Sequence, residues 1–110
     1  MFNIHNVSVY VNNNSPVDLE NCTIQHNGNG GHPIKLRTIK SMGKTEEEMC
    51  IITARERSEL IFSYSLNGKN YSLSLYDKIF LTDLSPIIIN ITSEDNKLIF
   101  TTERKSVKNI

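Results

Sequence analysis

The sequence predicts an all-β protein: a single antiparallel β-sandwich or flattened barrel of seven to eight short strands. Three observations predict it. Apolar and polar residues alternate at period two through most of the chain. Turn residues interrupt that alternation at intervals of roughly ten, as in sandwiches and small barrels. Asn67-Gly68, the strongest short hairpin signal, separates two runs whose apolar residues match when the chain folds back on itself.

Val7, Val9 and Val11 alternate with Ser8 and Tyr10, giving a first strand that stops at Asn12-Asn13-Asn14-Ser15-Pro16. Val17 and Leu19 share one phase while Cys22 and Ile24 take the other, so a β-bulge is expected near Glu20-Asn21. Ile34, Leu36 and Ile39 make a further short strand. Residues 45–57 read two ways. Thr45-Glu46-Glu47-Glu48 has the form of a helix capping box, whereas Met49-Cys50-Ile51-Ile52-Thr53 has three β-branched residues in a row. The all-β context favours the strand.

Over residues 60–76 the pairing follows by arithmetic. If Leu66 pairs with Lys69, then Tyr64 faces Tyr71, Phe62 faces Leu73 and Leu60 faces Leu75, with Ser63 and Ser72 opposed on the other side. Both tyrosines are then expected on the core face, and Tyr76 on the other. A second hairpin spans 87–102: the run Ile87-Ile88-Ile89-Asn90-Ile91 follows Pro86, Ser93 to Lys97 supply the turn, and Leu98 to Thr102 return. Consecutive isoleucines suggest a central strand covered on both faces. The domain is expected to span 1–104, with a polar tail, 105–110, that frays.

A chain of 110 residues fits one domain and is long enough to bury a core without a structural metal. Lys and Arg number 12, Asp and Glu 12, and zero net charge argues against non-specific binding to duplex nucleic acid. No segment has the roughly 18 apolar residues of a spanning helix. The first residues, Met1 to Asn6, contain no Lys or Arg and no apolar run follows, so a cytoplasmic protein is expected. Cys22 and Cys50 are then expected as free, half-buried thiols. Abundant Ile, Asn and Lys fit an AT-rich bacterial or phage genome.

Candidate sites are few. Asn27, Gly28, Gly30 and Gly31, with His32 following, form a Gly-rich loop, and no acid occurs between residues 21 and 45, where Lys35, Arg37, Lys40 and Lys44 lie. Converging backbone amides make an anion-binding nest, and Lys35 and Arg37 add charge, so an anionic small molecule such as a nucleotide signal is one ligand class. The Walker order is missing, and the plainer reading is a solvated loop beside an amphipathic strand. Cys22 and His26, on one strand, lie about 13–14 Å apart, too far to share a metal, so no metal or other cofactor is expected. Nucleophile, zinc-protease and redox motifs are all missing, so catalytic residues are not assigned and no enzyme is expected.

The order of features loosely resembles small β-sandwich lysins of the aegerolysin type: Val9-Tyr10-Val11-Asn12-Asn13-Asn14-Ser15, then a Gly-containing loop, then the hairpin at 60–75. That resemblance implies a membrane-active alternative. The chain has no Trp, and those proteins' aromatic-rich late strands are missing, so no residue role is carried over. The expected function is a small accessory protein that binds a protein partner or small ligand through loops or an edge strand, with homo-oligomers possible through such an edge.

Overall fold

Side chains two apart on a strand share a face, and the alternating apolar residues of this chain turn to one interior. The computed structural model describes residues 3–26, 33–53, 59–76 and 86–104. Eight strands follow in order: β1 (Asn3–Asn13), β2 (Leu19–His26), β3 (Ile34–Ile39), β4 (Lys44–Thr53), β5 (Leu60–Leu66), β6 (Lys69–Tyr76), β7 (Ile87–Glu94) and β8 (Lys97–Arg104). They form two sheets, ordered β4-β1-β7-β8 and β3-β2-β5-β6, and no helix occurs among the described residues. The expected β-sandwich is therefore correct in class and strand number, and residues 44–53 are strand. Residues 54–58 and the tail 105–110 lie outside the described residues.

The core is made by the inward phase of the central strands. Val7, Val9 and Val11 of β1 and Ile87, Ile89 and Ile91 of β7 meet Leu19, Cys22 and Ile24 of β2 and Leu60, Phe62 and Tyr64 of β5. Fully burying a Val, Leu, Ile or Phe side chain contributes about 1.5–3 kcal/mol, so these strands dominate the stability. The edge strands β6 and β8 add partly buried Leu73, Leu75, Leu98 and Phe100.

Three expectations need correction. The sandwich is not wholly antiparallel: β1 and β7 run parallel, with Val9 opposite Ile87 and Val11 opposite Ile89. On the outer face the amides of Asn12 and Asn90, also opposite one another, hydrogen-bond at 2.9 Å and hold that register. β7 is indeed central, but only one of its faces is buried; Ile88 and Asn90 on the other are half-exposed. Third, Leu60 faces Tyr76 rather than Leu75, because a one-residue bulge enters between Leu60 and Ile61. The rest of that hairpin has the expected register, from Leu66–Lys69 to Ile61–Ser74. The shift in β2 also falls where the change of phase requires it, with Asn21 at φ 50°.

The first hairpin turn is the two-residue turn expected, and the second is tighter than expected. Asn67 (φ 53°) and Gly68 (φ 78°) make a two-residue turn with both central residues left-handed. The β7–β8 turn is not the expected five residues but Asp95-Asn96, at φ 53° and 62°. Positive φ at both centres matches the twist of the flanking strands, and Asp and Asn tolerate it at some cost.

β1 ends later than its Asn-rich sequence suggests, and its last residue is a structural node. Asn13 is fully buried. Its side-chain Nδ2 donates to the carbonyls of Val17 (2.8 Å), Ile39 (3.0 Å) and Lys40 (3.2 Å). Its Oδ1 accepts from the backbone N–H of Ser15 (3.1 Å) and from the Ser15 hydroxyl (2.6 Å). Its backbone N–H donates to Gly43 O at 2.8 Å. The Ser41 hydroxyl adds a bond to Ser15 O at 2.6 Å. One amide therefore joins the end of β1, the 14–18 bend and the β3–β4 turn, which crosses between the sheets.

Two outcomes follow. Gly68→Val, where a side chain would meet nothing within 4 Å but must adopt φ +78°, should lose more than about 1 kcal/mol from backbone strain alone, while Asn96→Gly should gain up to about 1 kcal/mol. Urea denaturation of both variants checks this. Asn13→Ala should lose about 3 kcal/mol by orphaning buried partners. Asn13→Asp should lose more at neutral pH, because a carboxylate cannot donate to three carbonyls and carries a buried charge.

Candidate functional site

Because Phe62, Tyr64, Tyr71 and Leu73 take the core phase, the β5–β6 hairpin turns Ser63, Ser65, Asn70 and Ser72 outward. Register pairs Ser63 with Ser72 and Ser65 with Asn70. The hydroxyls of Ser63 and Ser72 lie 2.5 Å apart, and the Ser65 hydroxyl donates to Asn70 Oδ1 at 2.5 Å. Asn21, left-handed at the β2 bulge, donates its Nδ2 to Ser65 Oγ at 3.5 Å. These side chains line a shallow cleft of about 380 Å³. A smaller one of about 180 Å³, reaching Glu20 and the Asn67-Gly68 turn, shares Asn21, Ser65 and Asn70 with it.

The chemistry of the larger cleft is that of neutral hydrogen bonding. The chain Asn21–Ser65–Asn70 uses the Asn21 amide N–H and the Asn70 carbonyl, leaving the Asn70 amide protons as donors and the Asn21 carbonyl as acceptor. No carboxylate, imidazole, ammonium or guanidinium group lines it. On the opposite face of the same strands an aromatic cluster closes the β6–β8 side of the sandwich. Tyr64 stacks on Tyr71 at 5.1 Å, and Phe100 of β8 meets Tyr64 at 5.5 Å and Phe62 at 5.7 Å. Burial, then the neighbouring Tyr71, raises the Tyr64 phenol pKa. Both tyrosines take the core face as expected, but at the edge strand the cover is incomplete: Tyr64 is 9% exposed and Tyr71 42%.

Of the residues singled out in the sequence, Lys35 and Arg37 lie exposed on edge strand β3, opposite Thr23 and Cys22, with Arg37 at φ 64°. β2 and β5 separate them from β6. Asn27, Gly28, Gly30, Gly31 and His32 lie outside the described residues, as do the side chains of Cys50 and Tyr76. Among the described residues no group of three or more His, Cys, Asp or Glu could hold a metal ion. Among the described residues no helix is long and apolar enough to cross a membrane. Glu46, Glu47 and Glu48 are exposed on β4, and Glu46 raises the pKa of Tyr10 across the strand pair, first by its charge.

Sequence reasoning paired Ser63 with Ser72 but passed over Ser65 and Asn70, which the same arithmetic opposes. Asn21 could not be found that way, because its meeting with Ser65 requires the pairing of β2 with β5, 44 residues apart in the chain.

Cys22 is free but fully, not half, buried, with its thiol 3.4 Å from Leu19 O. Burial pushes its pKa up to about 11, against a smaller lowering by the backbone N–H of Ile39. A thiolate nucleophile at neutral pH is the opposite of what this site favours.

No protein-family model matches the chain, and no curated protein matches it. Among solved structures it is similar to an NMR structure of a protein from Eubacterium rectale, with a TM-score of 0.57 and 10% identity over 94% of each chain. At that identity the likeness is one of fold.

The Cys22 thiol makes stability fall with alkaline pH. Below the unfolded pKa of about 8.5 both states hold the proton and the stability is fully present; above it the unfolded thiol ionises first, and stability is lost as pH rises towards the folded value. Between pH 8 and 10.5 the wild-type chain should lose about 2 kcal/mol more than Cys22→Ala. Urea titrations at stepped pH check this; parallel pH curves for the two proteins would refute it.

Proposed function

We propose that this protein acts by binding rather than by catalysis, as a small accessory protein of bacterial or phage origin, and that its ligand is neutral and polar. The carrying observation is the connected Asn21–Ser65–Asn70 chain along an exposed cleft free of charged side chains. Such a surface offers directional hydrogen bonds to hydroxyl or amide groups and gives a charged ligand no counter-charge. The Ile-, Asn- and Lys-rich composition supports the source.

A second reading has its own observation. Lys35, Arg37, Lys40 and Lys44 are all exposed, in a stretch without acids, beside the Gly-rich segment 27–31. This favours an anionic ligand such as a nucleotide, held by charge-assisted bonds.

One experiment separates the two readings. The ¹⁵N-labelled protein is titrated with neutral oligosaccharides, uncharged peptides, inorganic phosphate and nucleotides. The neutral reading expects saturable shifts of the Asn21 and Asn70 side-chain amides. Asn70→Ala should weaken binding about tenfold, the value of one good hydrogen bond, and leave the melting temperature nearly unchanged. Shifts that instead follow phosphate or nucleotide, centre on β3 and vanish in Lys35→Ala/Arg37→Gly would establish the anionic reading; glycine is used because position 37 has positive φ. Shifts at neither place would reject both.

A further inference from the structure

The outer face of the other sheet holds a further cleft, of about 290 Å³, lined by Tyr10, Asn12, Lys44, Thr45 and Glu46. Register places its parts. Val9 and Val11 of β1 turn to the core, so Tyr10 and Asn12 turn outward. Antiparallel pairing with β4 sets Glu46 opposite Tyr10 and Lys44 opposite Asn12. On the other flank of β1, Ile88 stands opposite Tyr10 and Asn90 opposite Asn12. The cleft therefore lies across two rows, Glu46–Tyr10–Ile88 and Lys44–Asn12–Asn90.

The rows carry opposite charge. Lys44 and Glu46 are both exposed and, two residues apart on one strand, share a face with about 6.8 Å between their Cα atoms. Glu46 accepts a hydrogen bond from the Tyr10 hydroxyl. Asn12 Nδ2 donates to Asn90 Oδ1, which leaves the Asn90 amide protons as donors. Glu48, next in phase beyond Glu46, and Glu103, opposite Ile88, reinforce the negative end. No acid stands in the Lys44 row, which continues from Asn90 to Thr101. Charges that only keep edge strand β4 from pairing need no such order. Here a cation and an anion sit at two ends of one cleft, with an aromatic residue and an amide pair beside them.

We propose that this cleft binds a free dipeptide, with its ammonium at Glu46 and Tyr10 and its carboxylate at Lys44 and the Asn12–Asn90 amides. A carboxylate beside an aromatic ring attracts an ammonium group, and a lysine beside amide N–H groups attracts a carboxylate. Length selects the ligand. An extended chain spans at most about 3.3–3.6 Å per residue, so two residues match the spacing of Lys44 and Glu46. A single amino acid cannot reach both charges, and a longer peptide must overhang one of them. The reverse orientation sets like charges together at both ends. Half-exposed Ile88 gives the ligand side chains an apolar contact. The contacts are solvated, so binding is weak, with a Kd on the order of a millimolar, and weakens further with salt. The neutral cleft lies on the outer face of β2, β5 and β6, in the other sheet, and this proposal does not rest on it.

The test titrates ¹⁵N-labelled protein at low salt with alanylalanine, with the same dipeptide acetylated at its amine or amidated at its carboxylate, and with alanine alone. Alanylalanine should give saturable shifts of the Asn12 and Asn90 side-chain amides. Blocking either end should weaken binding about fivefold, the worth of one exposed charge pair, and alanine should bind no better than the blocked forms. Lys44→Met and Glu46→Gln should each weaken alanylalanine to the same degree; glutamine still accepts from the Tyr10 hydroxyl. The blocked peptides keep the test on the wild-type chain should either variant misfold. Affinity that is indifferent to blocking, alanine binding as tightly as the dipeptide, or no saturable shift at Asn12 and Asn90 would overturn the proposal. Shifts confined to the Asn21 and Asn70 amides would overturn it too, while leaving the neutral cleft as a binding site.

Discussion

The fully buried side-chain amide of Asn13, where β1 leaves its sheet, makes five hydrogen-bonding contacts with the 14–18 bend, the end of β3 in the other sheet and the turn that follows it. Hydrophobic burial is non-directional and would accept the two sheets at a range of offsets. The amide does not. It requires the 14–18 bend and the β3–β4 turn to present their carbonyls at fixed points, and Ser41 reinforces the same place through Ser15 O and Asp18. With that corner set, β3 meets β2 in a definite register, and the β2 bulge carries Asn21 to Ser65.

Charge is distributed to match. It collects on β3, β4 and β8 and is absent along β6 after Lys69. Exposed single charges contribute little to folding energy, so their placement reflects what each edge must avoid more than how the core is held. The β5–β6 hairpin instead presents hydroxyls and amides on its outer face, with no charged side chain from Asn70 to Tyr76.

Much of the fold could be read from residue order, and the limits of that reading are physical. The β5–β6 register was legible because a two-residue turn and period-two matching are local constraints. It failed only at Leu75, where a bulge adds a residue that alternation cannot signal. The parallel β1–β7 pair was illegible because five strands, β2 to β6, lie between its partners in the chain, and nothing within a window of ten residues marks that closure. Asn13 looked like the stop signal of an Asn-rich turn. Its sequence neighbours are turn formers, and two of the three carbonyls that make it a buried hub come from residues 26 and 27 positions away. Of the cleft, Ser63 and Ser72 were visible as a facing pair, while Asn21 depends on a contact between strands remote in sequence.

The parallel pairing of β1 with β7 also sets an order of events as the chain is made. The sheet β3-β2-β5-β6 can close once residue 76 has left the ribosome, since its strands are sequential neighbours or nearly so. β1 can meet β4 early, but its other side, with Val9 and Val11, must wait until Ile87–Ile91 emerge. During that interval a nascent chain carries one finished sheet and one unfinished one whose apolar flank is open. Long-range strand closure of this kind slows folding and leaves surface exposed to aggregation. The last hairpin, β7–β8, therefore acts during synthesis as the piece that seals the molecule, and a chain truncated before residue 87 would keep β4 and β1 but lack the other half of the covering sheet.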